Sequence, residues 1–227
     1  MTMLKTSLAF AAALTMAATP FAAAAQDAEA QTTAPRIFAP INYNVNEDLE
    51  NILLLDLSNG QRVAIRLMPD WAPNHVERIK TLTRQGFYDG IIFHRVIDGF
   101  MAQTGDPTGT GTGGSELPDL SQEFHRMPHV RGTVSMARAA SEDSANSQFF
   151  IVFYPRFSLD KRYTNFGRVI SNMAGVDKIT RGEPPTNPTR ILQASIASDN
   201  RPVPVGNQAA PKLNSISADM LNAPISE

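Results

Sequence analysis

Phe93-His94-Arg95-Val96-Ile97-Asp98-Gly99-Phe100-Met101-Ala102-Gln103-Thr104-Gly105-Asp106 is the stretch on which the fold turns. It sets one guanidinium among Phe, Met and Gln with almost no other charge nearby. Arginine keeps its proton in proteins and sits in water or in ion pairs. An Arg inside an apolar, alternating segment is therefore either paired, with Asp98 as the local candidate, or functional. A second pair of runs, Ser135-Met136-Ala137-Arg138-Ala139 and Ser147-Gln148-Phe149-Phe150-Ile151, supplies further apolar strand-like sequence with isolated polar groups.

Outward from these runs the chain reads mainly as strands. Residues 51–57 form an apolar strand, Ser58-Asn59-Gly60 carries the two-residue hairpin signal, and residues 61–68 return with Val63, Ile65 and Leu67 alternating. Val76, Ile79 and Leu82 then recur at helical spacing, with Pro73 in the first turn and Gly86 past the end. Residues 105–131, rich in Gly, Pro and Ser, read as a long loop. Strands are expected over 132–137, 147–153 and 164–170, a second helix over 174–181, and a closing strand over 190–197. Many strands with only two helices argue for a closed antiparallel barrel.

Composition bounds the rest. A hydrophobic fraction of 42% and a charged fraction of 19% suit a soluble globular domain, and 227 residues leave room for one domain with appendages. A net charge of -2 and a pI near 6.1 give no basic face for nucleic acid. With no Cys, a lipoprotein anchor, a disulfide framework and thiol catalysis drop out. Lys5, the apolar run 8–18 and Ala23-Ala24-Ala25 make a signal peptide over 1–25, cut after Ala25, so the protein is expected to be exported and periplasmic or secreted. The apolar run is too short for a stable membrane span of about 20 residues. Residues 26–48 read as a flexible linker and residues 200–227 as a Pro-rich polar tail, leaving a domain over 49–199.

The runs around Arg95 and around Ala137 and Phe150 together resemble the cyclophilin family of peptidyl-prolyl cis-trans isomerases. The resemblance spans about two thirds of the chain and implies an eight-stranded closed β-barrel capped by one α-helix at each end. It implies catalysis by Arg95 and Gln103, and a proline pocket built from Phe100, Met101, Phe150 and Leu159, with Tyr163 beside it. Gln103 and Gln148 match polar side chains that bind substrate backbone and orient the Arg. Ala137 and Arg138 match the stretch whose backbone receives the residue before proline, although Asn is frequent in the family where Arg138 stands. The implied partners are proline-containing unfolded or partly folded polypeptides, with no cofactor, no metal and a monomeric state.

There are departures from the pattern. Ser158 stands where many members have a pocket-side Trp, Lys161 where Gly is usual, and Tyr163 where eukaryotic members have His. The missing Trp implies weak cyclosporin binding. The rival from another class is a chaperone or peptide-binding module that keeps the barrel and loses efficient catalysis; retention of Arg95 with its pocket speaks against it. A ligand-carrying barrel is disfavoured because small barrels fill their interior with side chains.

Several motifs carry bland readings. Gly109-Thr110-Gly111-Thr112-Gly113-Gly114 satisfies G-x-G-x-x-G but lacks the preceding strand and following helix of a dinucleotide site. His125 and His129 are four apart, yet Pro128 spoils a helical face for metal. His94 is expected to face away from Arg95, packed and hydrogen-bonded. Glu142 and Asp143 read as solvated loop residues, and no G-x-S-x-G supports serine hydrolysis.

Overall fold

The computed structural model describes Phe38 and residues 40–204; the expected signal peptide and the greater part of the expected tail lie outside them. The elements run β1 (Ile52–Leu57), β2 (Arg62–Leu67), α1 (Pro73–Arg84), β3 (Arg95–Ile97), β4 (Met101–Thr104), β5 (Thr133–Met136), β6 (Phe149–Val152), β7 (Asn165–Ser171), α2 (Met173–Asp177) and β8 (Ile191–Ile196). Every strand pair is antiparallel, in the order β3-β4-β6-β5-β7-β2-β1-β8. Eight antiparallel strands and two helices thus match expectation, but the strand ladder is not closed. Its two edges, β3 and β8, make no ladder with each other. Isolated bridges, Ile92 to Arg190 and Val96 to Gly182, together with the Gly90 amide on the Ile191 carbonyl at 2.7 Å, join the flanking segments instead. Short edge strands explain this: β3 has three residues, and Pro184, Pro185 and Pro188 in the segment before β8 can donate no ladder hydrogen bond.

The hairpin β1–β2 turns at Asn59-Gly60, where Gly60 has φ +79°, a conformation open to glycine at no steric cost. β1 is buried on both faces. Leu53, Leu55 and Leu57 enter the main core, while Ile52 and Leu54 join Val45, Ala64 and Ile170 in a second cluster. This is why the ILLLDL run shows no alternation. Its one charge, Asp56, is fully buried and held by both arms of Arg62 at 2.7 Å. α1 lays Val76, Ile79 and Leu82 on the main core. Ala72 cannot cap it, and the carboxylate of Glu123 accepts the amides of Asn74 and His75 in its place, at 3.2 and 3.0 Å.

Two boundaries differ from expectation. α2 ends at Asp177 rather than 181. Gly175 weakens it, and the Arg181 guanidinium takes the carbonyls of Asp177 and Ile179, which a longer helix would have used. The second difference lies in the expected linker, whose last residues are docked. Arg66 on β2 is 2% exposed, and its guanidinium donates to the carbonyls of Asn42, Asn44, Glu47 and Asp48 at 2.7–3.0 Å. Val45 is buried beside it. A buried guanidinium needs acceptors, and this segment supplies them. The domain therefore begins upstream of residue 49. At the other end, Arg201 donates to the Ala194 carbonyl and to Asp89, so the folded part also passes 199.

Candidate active site

Strand register gathers the site. Arg95 on β3 lies opposite Gln103 on β4, Gln103 opposite Phe150 on β6, and Phe150 opposite Ser135 on β5. The four form one row across four strands, with Met101 and Val152 paired in the next row of the same face. On the opposite face Val96, Ala102, Ile151 and Val134 enter the main core. The period of two thus sorts neighbours in one short sequence into core and site.

On the outward face Met101, Phe150 and Val152 form a separate apolar cluster, flanked by Ile97, Phe100, Ala137, Leu159 and Tyr163. It walls a cleft of about 160 Å³ lined by Arg95, Phe100, Met101, Gln103, Ala137, Arg138, Phe150, Leu159 and Tyr163. Nine of the ten residues singled out in the sequence meet there. The tenth, Gln148, lines an adjoining cleft of about 470 Å³ that shares Gln103, Ala137 and Arg138 with the first.

The walls are braced. Tyr163 meets Phe150 edge-on at 5.7 Å, and the His129 ring stacks against Phe150 at 6.5 Å and 20°. His129 is buried; its Nδ1 is 2.8 Å from Asp160 Oδ1 and its Nε2 3.0 Å from Ser135 Oγ. Asp160 also accepts the His129 amide at 2.8 Å and directly follows the 3-10 turn Phe157–Leu159 that carries Leu159. Burial pushes the His129 pKa down, against the upward pull of Asp160. Arg156 lies 5.2 Å from the Phe100 ring centre and donates to the Gly99 carbonyl.

The polar side has its own bracing. Gln103 Nε2 donates to Gln148 Oε1 at 2.9 Å, and Gln148 Nε2 donates to the carbonyls of Gly111 and Gly113 at 3.1 and 2.8 Å. Gln148 thus ties Gln103 to the glycine loop, and neither Gln bonds Arg95 among the described residues. That loop is wound around Asp106, whose carboxylate accepts from the amides of Thr108, Gly111 and Gly113. Burial raises the Asp106 pKa, but these bonds and the Thr108 hydroxyl outweigh it and hold the carboxyl at about 2. Gly105 just before it has φ +87°, and a Cβ there would strike the Ser147 carbonyl.

Arg95 is paired, though not with Asp98, which bonds Arg181. Its partner is Glu183, 3.4 Å away, with side chains 41% and 50% exposed. An exposed pair at this distance is worth little, so the guanidinium can leave it at small cost. His94 is buried beside Gln148 rather than remote from the site, and neither ring nitrogen makes the full hydrogen bond expected of it. It packs below Gly111, and burial pushes its pKa down. His125 and His129 have separate partners, His125 Nε2 lying 2.6 Å from the Asn165 carbonyl oxygen. Among the described residues no cluster of three His, Cys, Asp or Glu is placed to hold a metal. His129, Asp160 and Asp106 are the contributors that sequence reasoning missed. Only the adjacency of Asp160 to Leu159 and of Asp106 to the glycine run pointed at them.

A family model described as "Cyclophilin type peptidyl-prolyl cis-trans isomerase/CLD" matches residues 53–196, more than half of the chain. The chain belongs to the cyclophilin family. Among curated relatives, a probable peptidyl-prolyl cis-trans isomerase of Brucella suis is 48% identical over 170 residues, covering 68% of this chain and 86% of the relative. Among solved structures, the cyclophilin AquaCyp293 from Hirschia baltica superimposes with a TM-score of 0.63 at 30% identity, covering 68% of this chain and 77% of that one. A Cryptosporidium parvum cyclophilin-type isomerase, crystallised in the presence of the dipeptide Ala-Pro, gives 0.59 at 27% identity, covering 64% and 98%. The cyclophilin match begins at Leu53 and ends at Ile196, so the docked residues 42–48 lie outside it.

Proposed function

We propose that this cyclophilin accelerates isomerisation of X-Pro bonds in exposed segments of unfolded or partly folded polypeptides, with Arg95 as the group that stabilises the twisted amide. The barrier of about 18–20 kcal/mol comes from amide resonance, and the reaction breaks no bond. In the twisted state the prolyl nitrogen regains its lone pair and accepts a hydrogen bond. A donor aimed there acts on the transition state more than on the ground state. The proline ring fits the apolar cleft of Phe100, Met101, Phe150, Leu159 and Tyr163, and Arg95 stands at its rim. The single observation carrying the proposal is that row: a weakly committed guanidinium beside a braced apolar pocket, with Gln103 next to it. Gln103 is proposed to meet substrate backbone, and Gln148 to hold Gln103 and the glycine loop in place.

The test is exchange spectroscopy or a protease-coupled assay on an Ala-Pro peptide. Arg95→Ala should lower kcat/KM by on the order of 10²–10³, a loss of about 3–4 kcal/mol. Lys should rescue poorly, because an ammonium cannot reproduce the planar fork. Activity within twofold of wild type in a folded Arg95→Ala protein refutes the mechanism. Export rests on Lys5, the apolar run 8–18 and Ala23-Ala24-Ala25. It implies a mature chain starting at Gln26, which mass spectrometry of the exported protein checks.

A further inference from the structure

We infer that Arg138 makes this enzyme selective for substrates carrying a carboxylate shortly before the proline. The inference rests on the isomerase activity proposed above and names the substrate class that the same site favours.

Arg138 is the cation shared by both clefts. It follows β5 directly after Ala137, whose amide is occupied by the Gln148 carbonyl at 2.9 Å. Its guanidinium is fixed in place. Nε and Nη2 donate to the Arg162 carbonyl at 3.2 and 3.0 Å, Nη1 donates to the carbonyls of Ala139 and Ala140 at 3.0 and 3.3 Å, and the plane lies 4.8 Å from the Tyr163 ring centre. These four bonds leave one of its five N–H groups for a further acceptor. All three acceptor carbonyls are neutral. Among the described residues no carboxylate forms an ion pair with Arg138, whereas Arg95, Arg131, Arg181 and Arg201 each have one. The hydrogen-bonding need is nearly met while the charge is not neutralised.

The surrounding charges favour the same ligand. Lys161 and Arg162 are exposed on the adjoining turn, and Arg95 lines the same small cleft. The opposing carboxylates are Glu183, already paired with Arg95 at 3.4 Å, Asp160, bonded to His129, and Asp119, which lines only the larger cleft and accepts the Asn146 amide at 2.9 Å. Glu142 and Asp143 stand on the exposed loop beyond, where Asp143 accepts the Gln122 amide. With proline in the small cleft, preceding residues run past the shared boundary, so their side chains meet Arg138 before Asp119. With one N–H free and its plane held against an aromatic face, the guanidinium is pre-organised to take a carboxylate by a single charge-assisted bond. Being partly exposed, it should discriminate by severalfold rather than by orders of magnitude.

The experiment is exchange NMR on peptides with Glu, Ala or Lys either immediately before proline or one residue further upstream. No coupling protease is then present to add its own preference. Wild type should turn over the Glu peptide about three- to tenfold better than the Lys peptide at one of the two positions, with Ala between. The ratio should shrink in 0.5 M salt. Arg138→Gln should bring it to about one and Arg138→Glu should invert it, whatever either substitution does to the Ala peptide. Equal turnover of Glu and Lys peptides at both positions overturns the inference and leaves the isomerase activity standing. So does a Glu preference that survives in a folded Arg138→Gln protein. No turnover of any peptide would strike the proposed activity itself.

Discussion

Cutting the chain at residue 49 should cost far more than its place outside the family match suggests. Compare residues 40–204 with residues 49–204. The shorter chain loses Val45, whose burial against Ile52, Leu54, Ala64 and Ile170 contributes about 1.5–3 kcal/mol. It also strips from Arg66 all four backbone carbonyls it bonds. A hydrogen bond from a charged donor is worth about 1.5–3 kcal/mol net, but the uncovered guanidinium gains water, so roughly 2 kcal/mol in total is a fair loss. Together this is about 3–5 kcal/mol, a large part of the 5–15 kcal/mol that holds a domain together. At about 2–4 °C per kcal/mol for this size, the melting midpoint should fall by roughly 6–20 °C. Thermal melts and urea titrations of the two proteins measure it. A midpoint within 2 °C would show that the docked segment contributes nothing and that Arg66 is content with water.

Two further outcomes follow from the site. His129 and His94 are both held below the ordinary imidazole pKa by burial, so the unfolded chain takes up protons first. Stability should therefore be full above about pH 6.5 and fall as the pH drops below it, with a further loss near the acid end as Glu50 and Asp106, both at about 2, are protonated; a urea midpoint unchanged between pH 7.5 and 5 would contradict the histidine part. Ser158 is exposed on the turn that carries Leu159, and Ser158→Trp should tighten cyclosporin with little effect on turnover; an unchanged dissociation constant by calorimetry would show that the position does not govern binding.

The elements and the pocket were legible to different depths. The hairpin, α1 and most strand positions follow from apolar runs, alternation, an Asn-Gly turn and helical spacing, all local signals. The pocket residues were legible only through two motifs, since Phe150 and Met101 taken singly look like any core side chain. What decides their place is register: Ala102 and Met101 are neighbours, yet one enters the main core and the other the site. The bracing was not legible. His129 finds Asp160 across 31 residues, and Arg66 finds Asn42 across 24, and no spacing rule links such partners. The docked segment was misjudged for the same reason, because small polar residues give no sign that a buried guanidinium awaits their carbonyls.

These braces bear on how catalysis and stability divide within one small site. A pocket that must hold a proline ring while its amide twists needs walls that do not follow the substrate, and each wall here is fastened from behind. Phe150 sits between His129 and Tyr163, Leu159 rides on a turn anchored by Asp160, and Gln103 is tied through Gln148 to a loop wound on Asp106. Buried polar groups such as His129 are costly unless satisfied, and satisfied they fix one arrangement. Arg95 is treated oppositely. Its one ion pair among the described residues is exposed and long, so little is lost when it turns toward a substrate. The group proposed to act on the transition state is thus the least committed at rest, while the groups proposed to hold proline are the most committed. A substitution behind the pocket, at His129 or Asp160, should accordingly disturb substrate affinity and stability together, whereas one at Arg95 should disturb turnover with the fold left in place.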